Sequence, residues 1–175
     1  GDRVNHASMP IGAYSEKQIM PEEKLVSVPD GISDEVASSI TLKGITAEYL
    51  LHRAYPLKKG DKVLYHAAAG ALGQILCPWA NSIGAEIIGT VGSTEKEEIA
   101  KKNGCHHVIN YTDKDFVEEV EKIVGKNGID VVYDGVGLNT FEGSIEVLKI
   151  RGMMVAFGNA SGYVDTIDVK KHINA

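Results

Sequence analysis

Residues 61–73 read DKVLYHAAAGALG, and after the next apolar run residues 92–96 read GSTEK. The first stretch predicts a short buried strand over Val63, Leu64, Tyr65 and His66, then a small-residue turn from Ala67 to Gly73 that opens a helix. Small residues let a backbone approach a pyrophosphate, and the unsatisfied N–H groups and dipole at a helix N-terminus attract its charge. The usual fingerprint is GxGxxG. Here it is filled by Ala68, Ala69, Gly70, Ala71, Leu72 and Gly73, with alanine where the first glycine would be. Alone, such a turn also fits mere tight packing; the βα alternation that follows it favours a nucleotide.

That alternation is regular. Further strands are predicted over residues 86–91, 106–111, 129–133 and 152–157. Helices are predicted over 72–83, from a Thr94/Glu97 capping box to Gly104, over 116–124 with Gly125 closing it, and over 140–148. Pro78 lies inside the first of these helices and removes the hydrogen bond to the Gln74 carbonyl, which predicts a kink or a locally widened turn. Strands alternating with helices demand parallel pairing and right-handed crossovers. The fold class is therefore α/β: a doubly wound parallel sheet (Rossmann fold) of strand order 3-2-1-4-5. Its ligand would sit where the order reverses, above the carboxyl ends of the first and fourth strands.

Residues 1–30 carry three prolines and no sustained period, and read as short extended segments joined by turns. Ser33 is a candidate N-cap for a helix bearing Val36, Ala37 and Ile40, which Lys43 and Gly44 interrupt; a second helical stretch starts at Thr46 and ends before Pro56. Residues 1–32 are accordingly read as an arm from another domain, and 33–175 as the nucleotide-binding domain with its leading helices.

Composition narrows the function. The chain has 175 residues, 43% of them hydrophobic, enough for one sizeable core. A formal net charge of -6, with lysines interleaved among Asp and Glu, argues against a nucleic-acid surface. Residues 63–85 contain no charged side chain, yet Gln74, Asn81, Ser82, His66 and Pro78 interrupt the run, and a buried strand and helix explain it better than a membrane span. Cys77 and Cys105 read as two reduced cytosolic thiols, with a disulfide as the alternative. The chain opens on GDRV without a methionine or signal-peptide pattern and stops at Asn174 and Ala175, soon after an apparent helix start, so it reads as part of a longer protein.

The end of the second strand selects the cofactor. An NAD site needs a carboxylate there, about 20 residues past the first glycine, to bind the ribose hydroxyls. Val91 and Gly92 occupy that end, followed by Ser93, Thr94 and Lys96, donors that suit a 2′-phosphate. NADPH is the expected cofactor. The competing reading is that Ser93 and Thr94 only cap the helix and Lys96 is solvated, and Glu95, Glu97 and Glu98 weigh toward it. His106 and His107 are adjacent on a strand and point to opposite faces, so they cannot share an ion. His66 lies near the cofactor by topology, but no Ser or Cys nucleophile with an oriented base appears. Hydride transfer needs none, because the cofactor carries the chemistry.

Placed together, the motifs resemble the zinc-independent, zeta-crystallin-like quinone oxidoreductases of the medium-chain dehydrogenase/reductase superfamily. The resemblance runs nearly end to end: GDRV at Gly1, GAYSE at Gly12, LKGITAEYLL at Leu42, HAAAGALG at His66, IIGTVGSTEK at Ile87, VINY at Val108, VVYDGVG at Val131 and MVAFGNASG at Met154. It implies Thr46 near the nicotinamide, and Ala69, Gly70, Ala71 and Leu72 at the pyrophosphate. Gly92, Ser93, Lys96 and Tyr111 would lie at the adenosine 2′-phosphate, and Phe157, Gly158 and Asn159 along the nicotinamide side. Ala71 departs from the second adjacent glycine of many members, and Pro78 is unusual for its helix. Zinc-containing relatives carry a four-cysteine lobe after their GDRV-like strand. Only seven residues separate Val4 from Gly12 here, none of them cysteine, so structural zinc is not expected.

The resemblance further implies a chain lacking most of an N-terminal catalytic domain and a sixth strand, which would begin past Ala175 and pair with its twin in a homodimer. The expected function is the cofactor-binding part of a cytoplasmic NADPH-dependent quinone reductase, without turnover by itself. An enone/alkenal double-bond reductase and a non-catalytic NADPH-binding module are the alternatives.

Overall fold

The structure is a computed structural model and describes residues 1–7 and 9–168. By internal contacts the chain divides into two compact units, Gly1–Thr46 and Ala47–Ala175.

In the first unit, β1 (Val4–Asn5) pairs antiparallel with β2 (Val26–Ser27). The Asn5 amide donates to Ala37 O at 2.6 Å and to Thr41 Oγ1 at 2.7 Å, pinning this ribbon to α1 (Asp34–Glu48). Ser33 caps α1 as expected, its Oγ accepting from Val36 N at 3.3 Å. The break expected at Lys43 and Gly44 is absent, since α1 runs through both. A glycine inside a helix costs only about 1 kcal/mol relative to alanine, which the surrounding turns absorb.

The second unit opens with a π-helical turn, Tyr49–Ala54. Its widened hydrogen bond runs from Tyr55 N to Leu50 O at 3.3 Å, and the same carbonyl accepts from the buried Tyr133 Oη at 3.1 Å. The wide turn expected at Pro78 is therefore found elsewhere: α2 (Gly73–Ile83) is α-helical through that proline. Pro78 and Gln74 are both exposed, so the carbonyl that loses its helix partner faces water.

Five parallel strands follow: β3 (Lys62–Tyr65), β4 (Glu86–Val91), β5 (His107–Asn110), β6 (Ile129–Asp134) and β7 (Leu148–Ala156). Their spatial order is β5-β4-β3-β6-β7, the expected 3-2-1-4-5. The helices between them are α2, α3 (Thr94–Lys102), α4 (Phe116–Val124) and α5 (Phe141–Glu146). Both sheet faces are covered, which is why the central strands are continuous apolar runs. Val63, Tyr65, Ile87, Val131 and Tyr133 face a core shared with α2, and Leu64, Ile88, Ile109 and Val132 face a second core shared with α4.

β7 begins four residues earlier than expected. Leu148 pairs with Ile129, the register then shifts, and Met153 pairs with Val131. Arg151, at φ 68°, takes up the extra length in a left-handed conformation. The expected last helix, 140–148, is correspondingly shortened to α5. Cys77 and Cys105 are free and buried. The hydrogen bond Cys77 makes with Cys105, together with burial, pushes the Cys77 thiol up, which keeps it protonated. Among the described residues no helix is long and apolar enough to cross a membrane.

Candidate functional site

The turn from β3 into α2 is built by its smallest residues. Ala67 takes a left-handed φ of 59°, Ala68 N donates to Thr90 O at 3.0 Å, and Gly70 N donates back to Ala67 O at 2.8 Å. A Cβ on Gly73 would lie 2.3 Å from Ala68 O, so only glycine lets the helix start this close to the strand end. A Cβ on Gly70 would meet only Ala67 O, at 3.0 Å, and otherwise open space. The backbone N–H groups of Ala69, Ala71 and Leu72 take no partner among the described residues. They cluster where α2 begins, an arrangement that binds an anion.

The second wall joins Gly92 and Tyr111. A Cβ on Gly92 would lie 2.7 Å from the Tyr111 phenol oxygen, and Tyr111 N donates to Val91 O at 3.1 Å. The capping box expected at Thr94 and Glu97 does not form, and neither does a side-chain cap by Ser93 or Thr94. The cap position of α3 falls on Ser93, whose extended backbone (φ -164°, ψ 160°) leaves its hydroxyl off the helix N–H groups. That hydroxyl hydrogen-bonds the Glu95 carboxylate instead and, with the backbone, holds it below the usual carboxylate range. Lys96 is exposed on α3.

The third wall is a pair of interlocked loops. Phe157 N donates to Asp134 O at 2.9 Å, and the Phe157 ring lies nearly parallel to Tyr65, with centroids 6.5 Å apart. Gly158 approaches so closely that an added Cβ would stand 2.7 Å from Gly135 O. Ser161 N and Oγ both donate to Val136 O at 2.8 Å. Gly158 and Asn159 line a cavity of about 210 Å³ with Asp134 and Gly137. Thr46 lies in the first unit, its hydroxyl donating to Leu42 O at 2.8 Å.

Two buried polar residues that organise these walls were not singled out as site residues from sequence. Asp134, fully buried, accepts from Val136 N at 2.7 Å, Gly137 N at 3.0 Å and Thr140 Oγ1 at 2.7 Å. An Asp ending a strand ahead of glycines is an Asx-turn signal and could have been read as one. His66 places Nδ1 2.9 Å from Thr90 Oγ1 and Nε2 2.9 Å from Ser144 Oγ, with its ring edge against Phe116. Burial lowers its pKa to about 4, against an opposing pull from Asp134. His66 is thus a neutral strut tying β3 to β4 and α5.

Above the carboxyl ends of β3 and β6, where the strand order reverses, opens a cleft of about 770 Å³. Ala67, Tyr111, Phe116, Val136 and Asn139 are among its walls. Apolar faces with a few convergent polar groups suit a flat heterocycle and its ribose. Among the described residues no group of three or more His, Cys, Asp or Glu could hold a metal ion. His106 accepts from Ile87 N at 3.0 Å, and His107 pairs with Glu86 at 3.2 Å.

Residues 71–174 match the family model described as zinc-binding dehydrogenase. The chain is 50% identical over 171 residues to a 2-haloacrylate reductase from a Burkholderia species, covering 97% of this chain and 51% of that protein. It is 46% identical over 169 residues to a quinone oxidoreductase of Salmonella typhimurium, covering 97% and 52%. The solved structure of Escherichia coli quinone oxidoreductase complexed with NADPH superposes with a TM-score of 0.95 at 43% identity, covering 99% of this chain and 53% of that one. The chain spans about half the length of the curated relatives it matches.

Proposed function

The chain belongs to the zinc-binding dehydrogenase family, and from that premise we propose that it is the NADPH-binding part of a quinone reductase. The observation that carries the reading is the turn into α2: a glycine-enforced close approach, with free N–H groups, at the reversal point of a doubly wound sheet. In this reading Ala69, Gly70, Ala71 and Leu72 hold the pyrophosphate. Gly92, Ser93, Lys96 and Tyr111 face the adenosine 2′-phosphate, and Phe157, Gly158 and Asn159 follow the nicotinamide side. Thr46 keeps its place near the nicotinamide from the resemblance alone. Residues 1–32 are an arm of a catalytic domain, and 33–175 the nucleotide-binding domain. The quinone, a homodimeric full-length protein and a cytoplasmic setting belong to the same proposal.

The dinucleotide, when bound, supplies the hydride or electrons. The chain's own residues bind and orient it: the free N–H groups neutralise phosphate charge, and the loops held by Asp134 shape the walls. The described residues offer no ligand set for zinc.

A second reading is reduction of an activated carbon–carbon double bond, favoured by the 50% identity to a 2-haloacrylate reductase. A third is an NADPH-binding module without turnover. Titration of the chain with NADPH and NADH tests the shared nucleotide site, and binding of neither refutes it. Turnover by the full-length protein then separates the readings: quinones but not 2-haloacrylates or enones support the first, the reverse the second, and binding alone the third.

A further inference from the structure

We infer that Lys114 is a specificity-determining cation of the cleft, reading a phosphomonoester on the ribose of the bound nucleotide. This rests on the nucleotide reading above and names a residue that reading does not use. Lys114 lines the 770 Å³ cleft alongside Tyr111, and it is the one cation among the lining residues. Lys96 is not among them; it is exposed on α3 between Glu95 and Glu97.

The local chemistry leaves Lys114 available. Among the described residues its one partner of opposite charge is Glu119, at 3.5 Å, and that carboxylate is held more closely by Lys122 at 2.7 Å. The lysine side chain is 58% exposed, so swinging from Glu119 to a phosphate exchanges a loose, solvent-screened pair for a tighter one. Two carboxylates also line the cleft. Asp115 is committed to capping α4, accepting from Val117 N at 2.8 Å and Glu118 N at 3.3 Å. Glu146, from α5, repels an incoming phosphate. Within the cleft a dianion is therefore drawn to Lys114 and repelled by Glu146.

The backbone that presents Lys114 is fixed. Asn110 Nδ2 donates to Asp113 Oδ2 at 3.0 Å, Thr112 N donates to Asn110 Oδ1 at 3.3 Å, and Tyr111 is seated over Gly92. Lys114 and Tyr111 thus share the wall of one cleft, and a ribose lacking the phosphate gains nothing from the ammonium.

The experiment is a fluorescence titration of the 175-residue chain with NADPH and with NADH, for the unsubstituted protein, Lys114→Gln, Lys114→Arg and Lys96→Gln. Thermal midpoints check that each variant is folded. Lys114→Gln should weaken NADPH about tenfold, the scale of one charge-assisted phosphate contact, leave NADH unchanged and flatten the salt dependence of NADPH binding. Lys114→Arg should restore the preference. A Lys114→Gln chain with the full NADPH preference overturns the inference while the nucleotide reading stands, and so does an unsubstituted chain that binds both cofactors equally. An unsubstituted chain that binds neither overturns both.

Discussion

Gly89 on β4 and Ala68 in the phosphate turn leave no space between them, because a Cβ on Gly89 would lie 2.6 Å from the Ala68 Cβ. The fingerprint's first glycine has become alanine, and the room for its methyl group comes from a glycine on the neighbouring strand. Gly89→Ala should destabilise the fold by about 1–3 kcal/mol through overpacking, read as a lowered urea midpoint. Adding Ala68→Gly should recover part of the loss. Recovery stays incomplete, because Cys105 Sγ also stands 2.8 Å from the added carbon. Additive effects in this double-mutant cycle would show that the two positions are not coupled.

His66 makes stability depend on acid. Its folded pKa, about 4, lies below the ordinary 6.5, so the neutral form is the one the fold holds. The contribution is fully present above pH 6.5 and is lost as pH falls from there to about 4, a span worth roughly 3 kcal/mol. Denaturant midpoints measured for the unsubstituted chain should therefore drop between pH 7 and pH 5. In His66→Gln, which keeps hydrogen-bonding capacity toward Thr90 and Ser144 but does not titrate, the starting stability should be lower and the drop shallower. Parallel pH profiles for the two proteins would show that His66 is not the group responsible.

Asp134 is the hub of the loop that walls the cleft. Removing its carboxylate by Asp134→Ala strands the buried Gly137 N–H and the half-buried Val136 N–H and leaves the Thr140 hydroxyl only Gly137 O, at 3.1 Å, each losing a charge-assisted partner worth about 1.5–3 kcal/mol. The variant should unfold at a distinctly lower temperature, whereas Asp134→Asn retains one acceptor oxygen and should lose less. Equal melting temperatures for Asp134→Ala and the unsubstituted chain would refute this role.

Gly70 separates binding from folding. A branched side chain there meets little protein beyond Ala67 O, yet stands in the turn that carries the free N–H groups of Ala69, Ala71 and Leu72. Gly70→Val should abolish NADPH binding while circular dichroism stays near that of the unsubstituted chain. Normal binding by this variant would mean that the phosphate does not sit on this turn.

How much of this was legible in the sequence follows the range of the forces involved. Strand order and the glycine turn were legible because parallel strands buried on both faces appear as continuous apolar runs, and tight turns need small residues locally. The π-helical turn was not, since the Tyr133 hydroxyl that satisfies Leu50 O arrives from 83 residues away. The partners of His66, Thr90 and Ser144, were hidden for the same reason, whereas those of Asp134 lie within six residues of it and were open to an Asx-turn reading; Lys114 acquires meaning only when three loops close a cleft. The misread capping box at Thr94 and Glu97 shows a local rule displaced by one residue: the cap position falls on Ser93, whose hydroxyl goes to the Glu95 carboxylate.

The last prediction concerns the edge of the sheet. Among the described residues no strand pairs with the outer side of β7, and its Met153 is 44% exposed. Sequence alone placed this strand at residues 152–157, a stretch free of charge. The observed strand also carries Lys149 and Arg151, and Lys149 is engaged with Asp130, so charge guards only its first half. The second half presents unpaired backbone groups beside apolar side chains, a template for another strand. The chain should therefore self-associate through β7 as concentration rises, seen as a growing mass in light scattering. Val155 is 8% exposed and belongs to the core, so a lysine there would unfold the protein rather than block an edge. Met153→Lys puts the charge where solvent already reaches and should return the chain to a monomer. A tail over residues 163–175 covering this edge is the competing arrangement. Residues 163–168 form no strand, and 169–175 lie outside the described residues. If the unsubstituted chain stays monomeric at high concentration and Met153→Lys changes nothing, the open-edge account fails and a covered edge replaces it.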